Sequence, residues 1–319
     1  MGGYYGRSPV SAVDDQSIDV DDGDLVAPPV VAVVITHDPG PWFEEALQSL
    51  RDQDYSALSV LVIDAGSEVD PTDRVAAVLP DAYVRRLDAN PGYGAAANEV
   101  LTIVEGAAFH LLCHDDVALA PDAVRALVQE AYRSNAGIVG PKLVQWDDPG
   151  RLLQVGVQID KSGHEVHGVD RGELDQEQHD AVRDVFCVPG GATLVRADLF
   201  ATLGGFDPAI SFLGDDLDLC WRAQIAGARV LVVPAAVGRH VEAFSQRSGL
   251  STEERRRLVL RHRLRAVLTN YSPFHRIRVL PQVALLALAE FVYATLAGRR
   301  PLAAAIADSW RWNLSLIHI

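Results

Sequence analysis

Residues 29–67 read PVVAVVITHDPGPWFEEALQSLRDQDYSALSVLVIDAGS, and their pattern indicates the class of fold. It opens with a short β-branched apolar run ending at Thr36, which is typical of a strand buried in a parallel sheet. Apolar residues then recur at helical spacing from Trp42 to Leu50. A second apolar run ends at Asp64. A strand, a helix and a strand in this order predict a βαβ unit.

The same alternation continues to about residue 134. The predicted elements are a helix at 75–79, a strand at 82–88, a helix at 95–105, a strand at 109–116 and a helix at 121–134. We therefore predict an α/β fold with a mostly parallel, Rossmann-like sheet flanked by helices. Ligands of such sheets bind at the carboxyl ends of the strands. The residues at those ends are polar or glycine-rich: Thr36-His37-Asp38, Asp64-Ala65-Gly66-Ser67, Asn90-Pro91-Gly92 and His114-Asp115-Asp116.

The pattern changes after residue 136. Residues 137–150 and 151–163 are predicted to be antiparallel strands, joined by a DDPG turn and ended by a KSG turn. The remaining predicted elements are a polar connection at 170–184, a strand and a helix at 187–200, a helix at 215–226 and a strand at 228–234. We divide the chain into a disordered acidic tail at 1–27, a sheet domain at 28–250 and a helical C-terminal extension at 251–319.

The composition indicates a globular protein, because 49% of the 319 residues are hydrophobic and 22% are charged. Three cysteines, none in a CxxC pair, exclude a disulfide scaffold and a cysteine-rich zinc module. The net charge is −15, yet residues 251–319 hold eleven Arg against four acidic side chains. The acidic part before them argues against a nucleic-acid partner. The basic end favours an anionic membrane surface as a partner.

The segment LLCHDDVALAPD, residues 111–122, places two carboxylates at a strand end. Carboxylates can bind a hard divalent cation through oxygen. In an extended chain His114 and Asp116 point to one side and Asp115 to the other, so His114 and Asp116 form the co-facing pair. An acidic cluster that only caps a loop is the competing interpretation.

The segment SFLGDDLDLCWRAQIAG, residues 211–227, puts Asp215, Asp216 and Asp218 at the start of a helix. Aspartate is favoured in first helical turns on electrostatic grounds alone. The functional alternative is a general base held at the helix N-terminus.

His240 follows the next predicted strand. A lone histidine is more often structural, but two acidic clusters give this one a reason to act as a metal ligand.

The segment NPGYGAAAN, residues 90–98, contains glycines that let the backbone approach a ligand just before a helix. An ordinary glycine-rich turn fits the same residues. The segment is not GxGxxG, and the chain has no GxxxxGK[ST] loop. Hydride transfer from a nicotinamide and P-loop phosphoryl transfer are therefore disfavoured.

In their order and spacing, VVITHDP, VIDAGS, NPGYGAAAN, HDDVALAPD and the stretch from GGATLVRADLF to VGRH resemble a family 2 glycosyltransferase with the GT-A fold. The resemblance runs from about Val30 to His240 and is most specific at its C-terminal end. That end is similar to the rhamnosyl- and galactofuranosyl-transferase branch of bacterial cell-envelope enzymes. The resemblance implies an inverting enzyme that moves a sugar from a UDP- or dTDP-linked donor to a hydroxyl of a cell-envelope glycan or lipid-linked acceptor. It also implies a divalent metal cofactor, Mn²⁺ or Mg²⁺.

The resemblance assigns roles to single residues. Asp216 corresponds to the catalytic base. Asp116 corresponds to the last position of the DxD motif, and His240 to the histidine that completes the metal site. Asp64 corresponds to the acid that contacts the base or ribose, and a carboxylate suits the N–H of uracil or thymine. The other donor-binding candidates are Thr36, Asn90, Gly92, Asn98 and Asp115, and the acceptor-side or secondary candidates are Asp215, Gly190, Gly191 and Trp221.

One residue departs from the family pattern, because His114 occupies the first position of DxD. Imidazole binds Mn²⁺ but suits Mg²⁺ less well than carboxylate does. Either His114, Asp116 and His240 hold the metal together, or Asp115 turns inward. His114 also supports an alternative function, a non-catalytic GT-A scaffold that binds a nucleotide-sugar or glycan. A nucleotidyltransferase ranks last, because it does not explain the GDDLDLCWR segment.

The C-terminal extension begins with a capping-box pattern from Ser251 to Glu254, which predicts a helix. In this helix Leu260, Leu264, Val267 and Leu268 share one face and Arg residues occupy the others. A basic amphipathic helix is typical of membrane-surface binding.

Residues 279–298 are apolar and long enough to span a bilayer, but Pro281, Gln282 and Glu290 make a lipid-facing span costly. Interfacial or re-entrant packing, a true span and a soluble packed helix all stay open. We expect the protein to act at the cytoplasmic face of the plasma membrane, as a peripheral protein or as the front part of a larger membrane protein.

Overall fold

The computed structural model describes residues 27–317, except residues 171, 189 and 244–248. The predicted disordered tail lies outside the described residues apart from Ala27. The strands are β1 Val30–Thr36, β2 Leu58–Asp64, β3 Tyr83–Arg86, β4 Phe109–His114, β5 Val117–Leu119, β6 Ala136–Gln145, β7 Leu152–Gln154, β8 Val157–Ile159, β9 Glu165–His167, β10 Arg183–Asp184, β11 Ala192–Arg196 and β12 Arg229–His240. The helices are α1 Phe43–Arg51, α2 Thr72–Val78, α3 Tyr93–Ala97, α4 Val100–Ile103, α5 Ala123–Ser134, α6 Ala197–Thr202, α7 Asp215–Ile225, α8 Thr252–Asn270, α9 Pro273–Leu296 and α10 Arg300–Ile317.

The sheet is mixed, and its main path runs β10-β12-β6-β11-β4-β1-β2-β3. The pairs β1–β2, β1–β4, β2–β3 and β6–β12 are parallel, as predicted for βαβ units. β11 lies antiparallel to both β4 and β6 and joins the two parallel parts. The ends of β1, β2 and β4 therefore meet at one edge of the sheet. This edge is the one at which the sequence predicts a ligand site.

The alternation of side chains in β1 explains why helices cover both faces of the sheet. Val33 and Ile35 join the hydrophobic cluster on one face, whereas Ala32 and Val34 join the cluster on the other. A strand that alternates between two apolar layers must be covered on both sides. The α/β prediction is confirmed at this level.

The predicted helix at 95–105 is instead two short helices, α3 and α4. Asn98 lies between them. Its side-chain amide donates to the carbonyl of Phe206 at 2.9 Å and accepts from the Phe206 N–H at 2.8 Å. The Asn98 side chain is therefore hydrogen-bonded to the backbone of the segment that precedes α7.

The strand predicted at 228–234 is also longer, because β12 continues to His240. Pro234 ends the apolar run in the sequence, but the ladder with β6 only shifts register between Val233 and Val237 and then resumes. His240 is therefore the last residue of a strand rather than part of the following loop. The ladder gives His240 a fixed position.

The predicted strand at 151–163 is divided into β7 and β8 at Gly156, which has a φ of +72°. β7 forms the predicted antiparallel pair with β6, whereas β8 turns away and pairs with β9. The KSG turn lies between β8 and β9. The resulting β8–β9 hairpin stands above the edge of the main sheet.

The capping box is confirmed, since Ser251 and Glu254 exchange both hydrogen bonds at the start of α8. Leu264 and Val267 on the predicted apolar face are buried, and α8 packs against α7 and α10. The apolar face that favoured a membrane surface is thus already covered by protein. An exposed apolar surface lies elsewhere among the described residues.

α9 provides such a surface. Among the described residues it is the helix that is long and apolar enough to cross a membrane, with a mean hydropathy of 1.7 and 17% of that window buried. Large apolar side chains are exposed along it: Phe274, Ile277, Leu285, Leu286, Leu288, Val292, Tyr293 and Leu296.

Candidate active site

A cleft of about 850 Å³ opens at the carboxyl ends of β1 and β4. The start of α7, the β8–β9 hairpin and α8 form its sides. Thr36, Asn90, His114, Asp115 and Asp116 all line it. These five candidate residues therefore lie together at the predicted edge of the sheet.

His114, Asp116 and His240 form a cluster of potential metal ligands, whose ligand atoms all lie within 4.8 Å of one another. β4 ends at His114, and the pairing of β5 with β12 places His240 opposite Val117. Oδ1 of Asp116 lies 3.2 Å from Nε2 of His240 and 3.8 Å from Nδ1 of His114. His240 thus lies beside His114 and Asp116, the pair that the sequence predicts to face the same side.

The chemistry of this cluster fits a divalent metal. Oδ2 of Asp116 accepts a hydrogen bond from the N–H of Ala243 at 2.7 Å, whereas its buried Oδ1 faces the imidazoles of His240 and His114. Burial by itself raises the pKa of Asp116, but the two imidazoles and the Ala243 N–H bring it well below its usual range. Asp116 is therefore an anion with one oxygen available beside two imidazoles. Such a set suits Mn²⁺ better than Mg²⁺.

Asp115 is turned toward the sheet instead. It is buried, and its Oδ2 accepts a hydrogen bond from Oγ1 of Thr36 at 2.6 Å. Of the two arrangements that the sequence left open, the geometry supports His114 rather than Asp115 as the third member of the cluster. Thr36 and Asp115 together form the wall of the cleft between β1 and β4.

Asp216 lies in the first turn of α7 and faces the cleft. Its Oδ1 accepts from the N–H of Leu217 at 2.7 Å and its Oδ2 from the N–H of Gly190 at 3.1 Å. Burial raises the pKa of Asp216, although these N–H groups act in the opposite direction. Burial and the charge of Asp216 also raise the pKa of the neighbouring Asp215. A carboxylate whose pKa is raised is a stronger base, so Asp216 has the environment of a general base.

Gly190 and Gly191 lie next to both Asp216 and the cluster of potential metal ligands. A methyl group on Gly190 would lie 3.7 Å from both Oδ2 of Asp216 and Nε2 of His114, so these two groups are neighbours. A methyl group on Gly191 would come within 3.2 Å of the His240 ring and 3.1 Å of Leu143, which is tighter than normal contact. Gly191 therefore keeps room for the imidazole of His240.

Several predicted site residues do not reach the cleft. Asp64 is completely buried, accepts hydrogen bonds from the N–H and hydroxyl of Ser67, and lies 3.3 Å from Nε of Arg86. Its neighbour Ala65 lines the cleft instead. Asn98 binds the Phe206 backbone, as described above.

Gly92 and Trp221 also act away from the cleft surface. Gly92 has a φ of +97°, and a side chain there would collide with Ser211, so it fixes the turn that places Asn90 and Tyr93 on the cleft. Trp221 is buried and packs edge-on against Phe186 and Tyr271. Trp221 is a core residue in this fold.

Three further residues line the cleft that were not predicted from the sequence: Tyr93, Glu165 and Arg263. The ring of Tyr93 lies edge-on to His114, with centroids 4.8 Å apart, and its buried hydroxyl has no hydrogen-bond partner among the described residues. Desolvation and the nearby Asp216 raise the pKa of Glu165 to about 7. The GYG spacing of residues 92–94 could have indicated Tyr93. Only the tertiary fold brings the β8–β9 hairpin and α8 to the site.

Solved structures share this fold. A mannosyltransferase from Pyrobaculum calidifontis, in complex with GDP-Man and Mn²⁺, is similar with a TM-score of 0.56 and 18% identity, over 91% of this chain and 88% of that one. S. aureus TarS 1–349, in complex with UDP, is similar with a TM-score of 0.54 and 17% identity, over 80% and 70% of the two chains. The fold is therefore the GT-A fold, and the predicted fold is confirmed.

The model of the family described as "Glycosyltransferase like family 2" matches residues 28–265. The chain belongs to this family. It is 29% identical over 239 residues to the N-acetylglucosaminyl-diphospho-decaprenol L-rhamnosyltransferase of Mycobacterium tuberculosis, which covers 68% of this chain and 76% of that protein. The predicted family and its rhamnosyltransferase-like branch are confirmed. The match extends past residue 250 into α8, which lines the cleft.

Proposed function

We propose that this glycosyltransferase moves a sugar, with inversion, from a UDP- or dTDP-linked donor to a hydroxyl of a cell-envelope glycan or lipid-linked acceptor. The observation that carries the proposal is that Asp216 lines one cleft together with His114 and Asp116, which form a cluster with His240 behind them. A base and a site for a leaving diphosphate are the two parts that a single displacement requires. A relative that transfers L-rhamnose to a lipid-diphosphate-linked sugar supports the acceptor class.

Asp216 is the proposed base. The N–H groups of Leu217 and Gly190 fix its two oxygens, so the carboxylate keeps one orientation. It takes the proton from the acceptor hydroxyl while that oxygen attacks the anomeric carbon from the side opposite the nucleotide. The bond to the diphosphate breaks in the same step, which inverts the configuration.

His114, Asp116 and His240 are the proposed holders of a divalent metal, which would neutralise charge on the leaving diphosphate. In this chain the N–H of Ala243 fixes one oxygen of Asp116, and the lack of a side chain at Gly191 leaves room for the His240 ring. The alternative, a non-catalytic scaffold, was suggested by His114 as a departure from the DxD pattern. Because His114 lies in the cluster, this departure is compatible with metal binding, which favours the enzyme.

The donor nucleotide is proposed to lie along Thr36, Ala65, Asn90 and Asp115. Asp64 would act indirectly, because its hydrogen bonds to Ser67 hold the turn that presents Ala65. Gly190, Asp215 and Glu165 lie on the side of α7 and the hairpin, which we assign to the acceptor.

We propose that residues 28–270 form the catalytic unit, because α8 both closes the cleft and packs on α7. Membrane attachment at the cytoplasmic face is assigned to α9. Its exposed apolar side chains are flanked by Arg276 and Arg278 at one end and Arg299 and Arg300 at the other. Arginines beside an apolar helix face favour an anionic interface.

The replacement Asp216→Asn tests the base. We expect transfer to fall roughly 10²–10⁴-fold, because an amide cannot take the acceptor proton. Binding of the donor nucleotide should stay within about twofold of the wild type, since the metal cluster is unchanged. Steady-state kinetics and calorimetry on the same samples check both parts. Transfer at the wild-type rate would remove Asp216 from this role.

A further inference from the structure

A second, smaller cavity lies beside the active-site cleft, between the β8–β9 hairpin, α8, α9 and α10. His164 and Arg263 line both cavities. On its outer side the small cavity is bounded by Leu286, Ala287 and Glu290 of α9. Leu286 also belongs to the exposed apolar surface of that helix. The two cavities therefore adjoin each other at His164 and Arg263, and the second, of about 50 Å³, reaches the outer face of α9.

Arg263 differs from the other arginines near it on α8. Arg261 and Arg265 are each committed to a carboxylate, Asp308 at 2.5 Å and Asp207 at 2.6 Å. Arg263 makes no hydrogen bond and no close ion pair with any described residue. Glu290 and Asp160 act on it only at longer range. Its guanidinium is thus available for an external anion.

The turn of the β8–β9 hairpin packs against Arg263 and restricts its position. Gly163, in the turn of the β8–β9 hairpin, has a φ of +78°, and a methyl group there would lie 3.3 Å from Cγ of Arg263. The turn therefore rests on the stem of the arginine and holds the head group at the junction of the two cavities. A half-buried guanidinium that is held in place loses little entropy when it binds a phosphate.

Charge and polarity along the path indicate the ligand. Apart from Arg263, the charged side chains among the described residues that line the cleft are acidic, with Asp115, Asp116, Asp215, Asp216 and Glu165 on its walls. Beyond Arg263 the second cavity has apolar side chains on its wall, Leu264, Val283 and Leu286, together with the polar Ser162, Ser309 and Glu290. A ligand that matches this order has a hydroxyl-bearing group at the acidic end, an anion in the middle and a hydrocarbon chain at the outer end.

We infer that Arg263 binds the phosphate of an acceptor that carries a hydrocarbon chain, and that the chain leaves through the second cavity along α9. The inference rests on the proposed function, which it deepens by naming the residue that holds the acceptor. Glu290, which makes a lipid-facing helix costly, faces this cavity instead. The path thus accounts for an acidic side chain on an otherwise apolar helix.

The test is calorimetric binding of farnesyl phosphate, farnesol and inorganic phosphate to the whole chain in EDTA, where the metal cluster is empty. The variants are Arg263→Gln and, as the matched control, Arg256→Gln. Arg256 is an exposed arginine of the same helix that lines neither cavity. We expect Arg263→Gln to weaken farnesyl phosphate binding by about 10- to 100-fold, the range for one charge-assisted contact. Arg256→Gln should change it less than about twofold.

A second variant covers the possibility that Arg263→Gln does not fold. Leu286→Asp lies on an exposed side chain and should weaken farnesyl phosphate and farnesol alike, while thermal unfolding is unchanged. Equal binding of farnesyl phosphate to the wild type and a folded Arg263→Gln variant would overturn the inference. Inorganic phosphate that binds as tightly as farnesyl phosphate would overturn the chain path.

The experiment separates this inference from the proposed function. Titration of UDP or dTDP with Mn²⁺ on the same samples reports the donor site alone. Farnesyl phosphate binding that depends on Arg263, together with no nucleotide binding, would contradict the proposed function and leave the subsite standing. Nucleotide binding without farnesyl phosphate binding would do the reverse.

Discussion

Asp215 and Asp216 place two carboxylates side by side at the start of α7, in surroundings that raise the pKa of both. Like charges in a buried position are unfavourable for the folded state. Catalytic sites often keep such groups because a base with a raised pKa is more effective. The helix N-terminus and the N–H of Gly190 offset part of the cost.

The pKa of Asp215 leads to a prediction on stability. Its folded-state pKa is raised above the unfolded value of about 3.9, so the folded protein holds this proton more tightly. The resulting contribution to stability is present at low pH and is lost as the pH rises from about 4 through the folded-state pKa. Asp215→Asn should therefore raise Tm at pH 8 by about 2–4 °C and leave it nearly unchanged at pH 4. Calorimetry at both pH values checks this, and an equal change at both would contradict it.

Gly190 and Gly191 provide a matched pair of substitutions. Gly191→Ala brings a methyl group against the His240 ring, whereas Gly190→Ala adds one at ordinary contact distance. We expect Gly191→Ala to weaken Mn²⁺ binding by about 10- to 100-fold, as for other changes that displace a metal ligand. Gly190→Ala should retain it within a few fold. Equal effects of the two substitutions would show that the space beside His240 is not decisive.

Among the elements, α8 and α9 play different parts although both belong to the C-terminal extension. α8 buries its apolar face and commits Arg261 and Arg265 to carboxylates of the protein. α9 leaves most of its apolar side chains exposed. Arg261 and Arg265 of α8 therefore serve the fold, and α9 carries the apolar surface to which we assign the proposed membrane attachment.

Leu288→Asp tests the surface of α9. Leu288 is exposed, so an aspartate there should not change Tm. It should lower flotation with anionic liposomes by roughly tenfold, because a charge on the inserted face must be desolvated. Thr269→Asp adds the same charge at an exposed position of α8 and serves as the control. Unchanged flotation of Leu288→Asp would exclude α9 as the attachment surface.

The elements that the sequence predicts best are those with strong local signals. β1 alternates between two apolar layers, and α8 has its capping box, so both are found where they are predicted. The prediction fails where tertiary contacts override local pattern. The Asn98 side chain lies where one predicted helix becomes two, and β12 continues past Pro234 because β6 offers a partner for the ladder.

At the scale of the whole molecule, the site is assembled from parts that are far apart in the sequence. The motifs around His114, Asp216 and His240 could be predicted because each carries acidic or imidazole groups at a strand or helix end. Glu165 and Arg263 carry no such local signal and reach the cleft only when the hairpin and α8 fold over it. Asp64 shows the opposite case, since a polar strand end proved to be buried by Ser67 and Arg86.

Calorimetric titration with UDP, dTDP and GDP, each with and without Mn²⁺, on the wild type and on Asp116→Ala, tests the donor and metal sites together. We expect that UDP or dTDP binds, that Mn²⁺ strengthens its binding by at least about tenfold, and that Asp116→Ala abolishes this gain. Nucleotide binding that ignores Mn²⁺ in both proteins, or no nucleotide binding at all, would contradict this expectation.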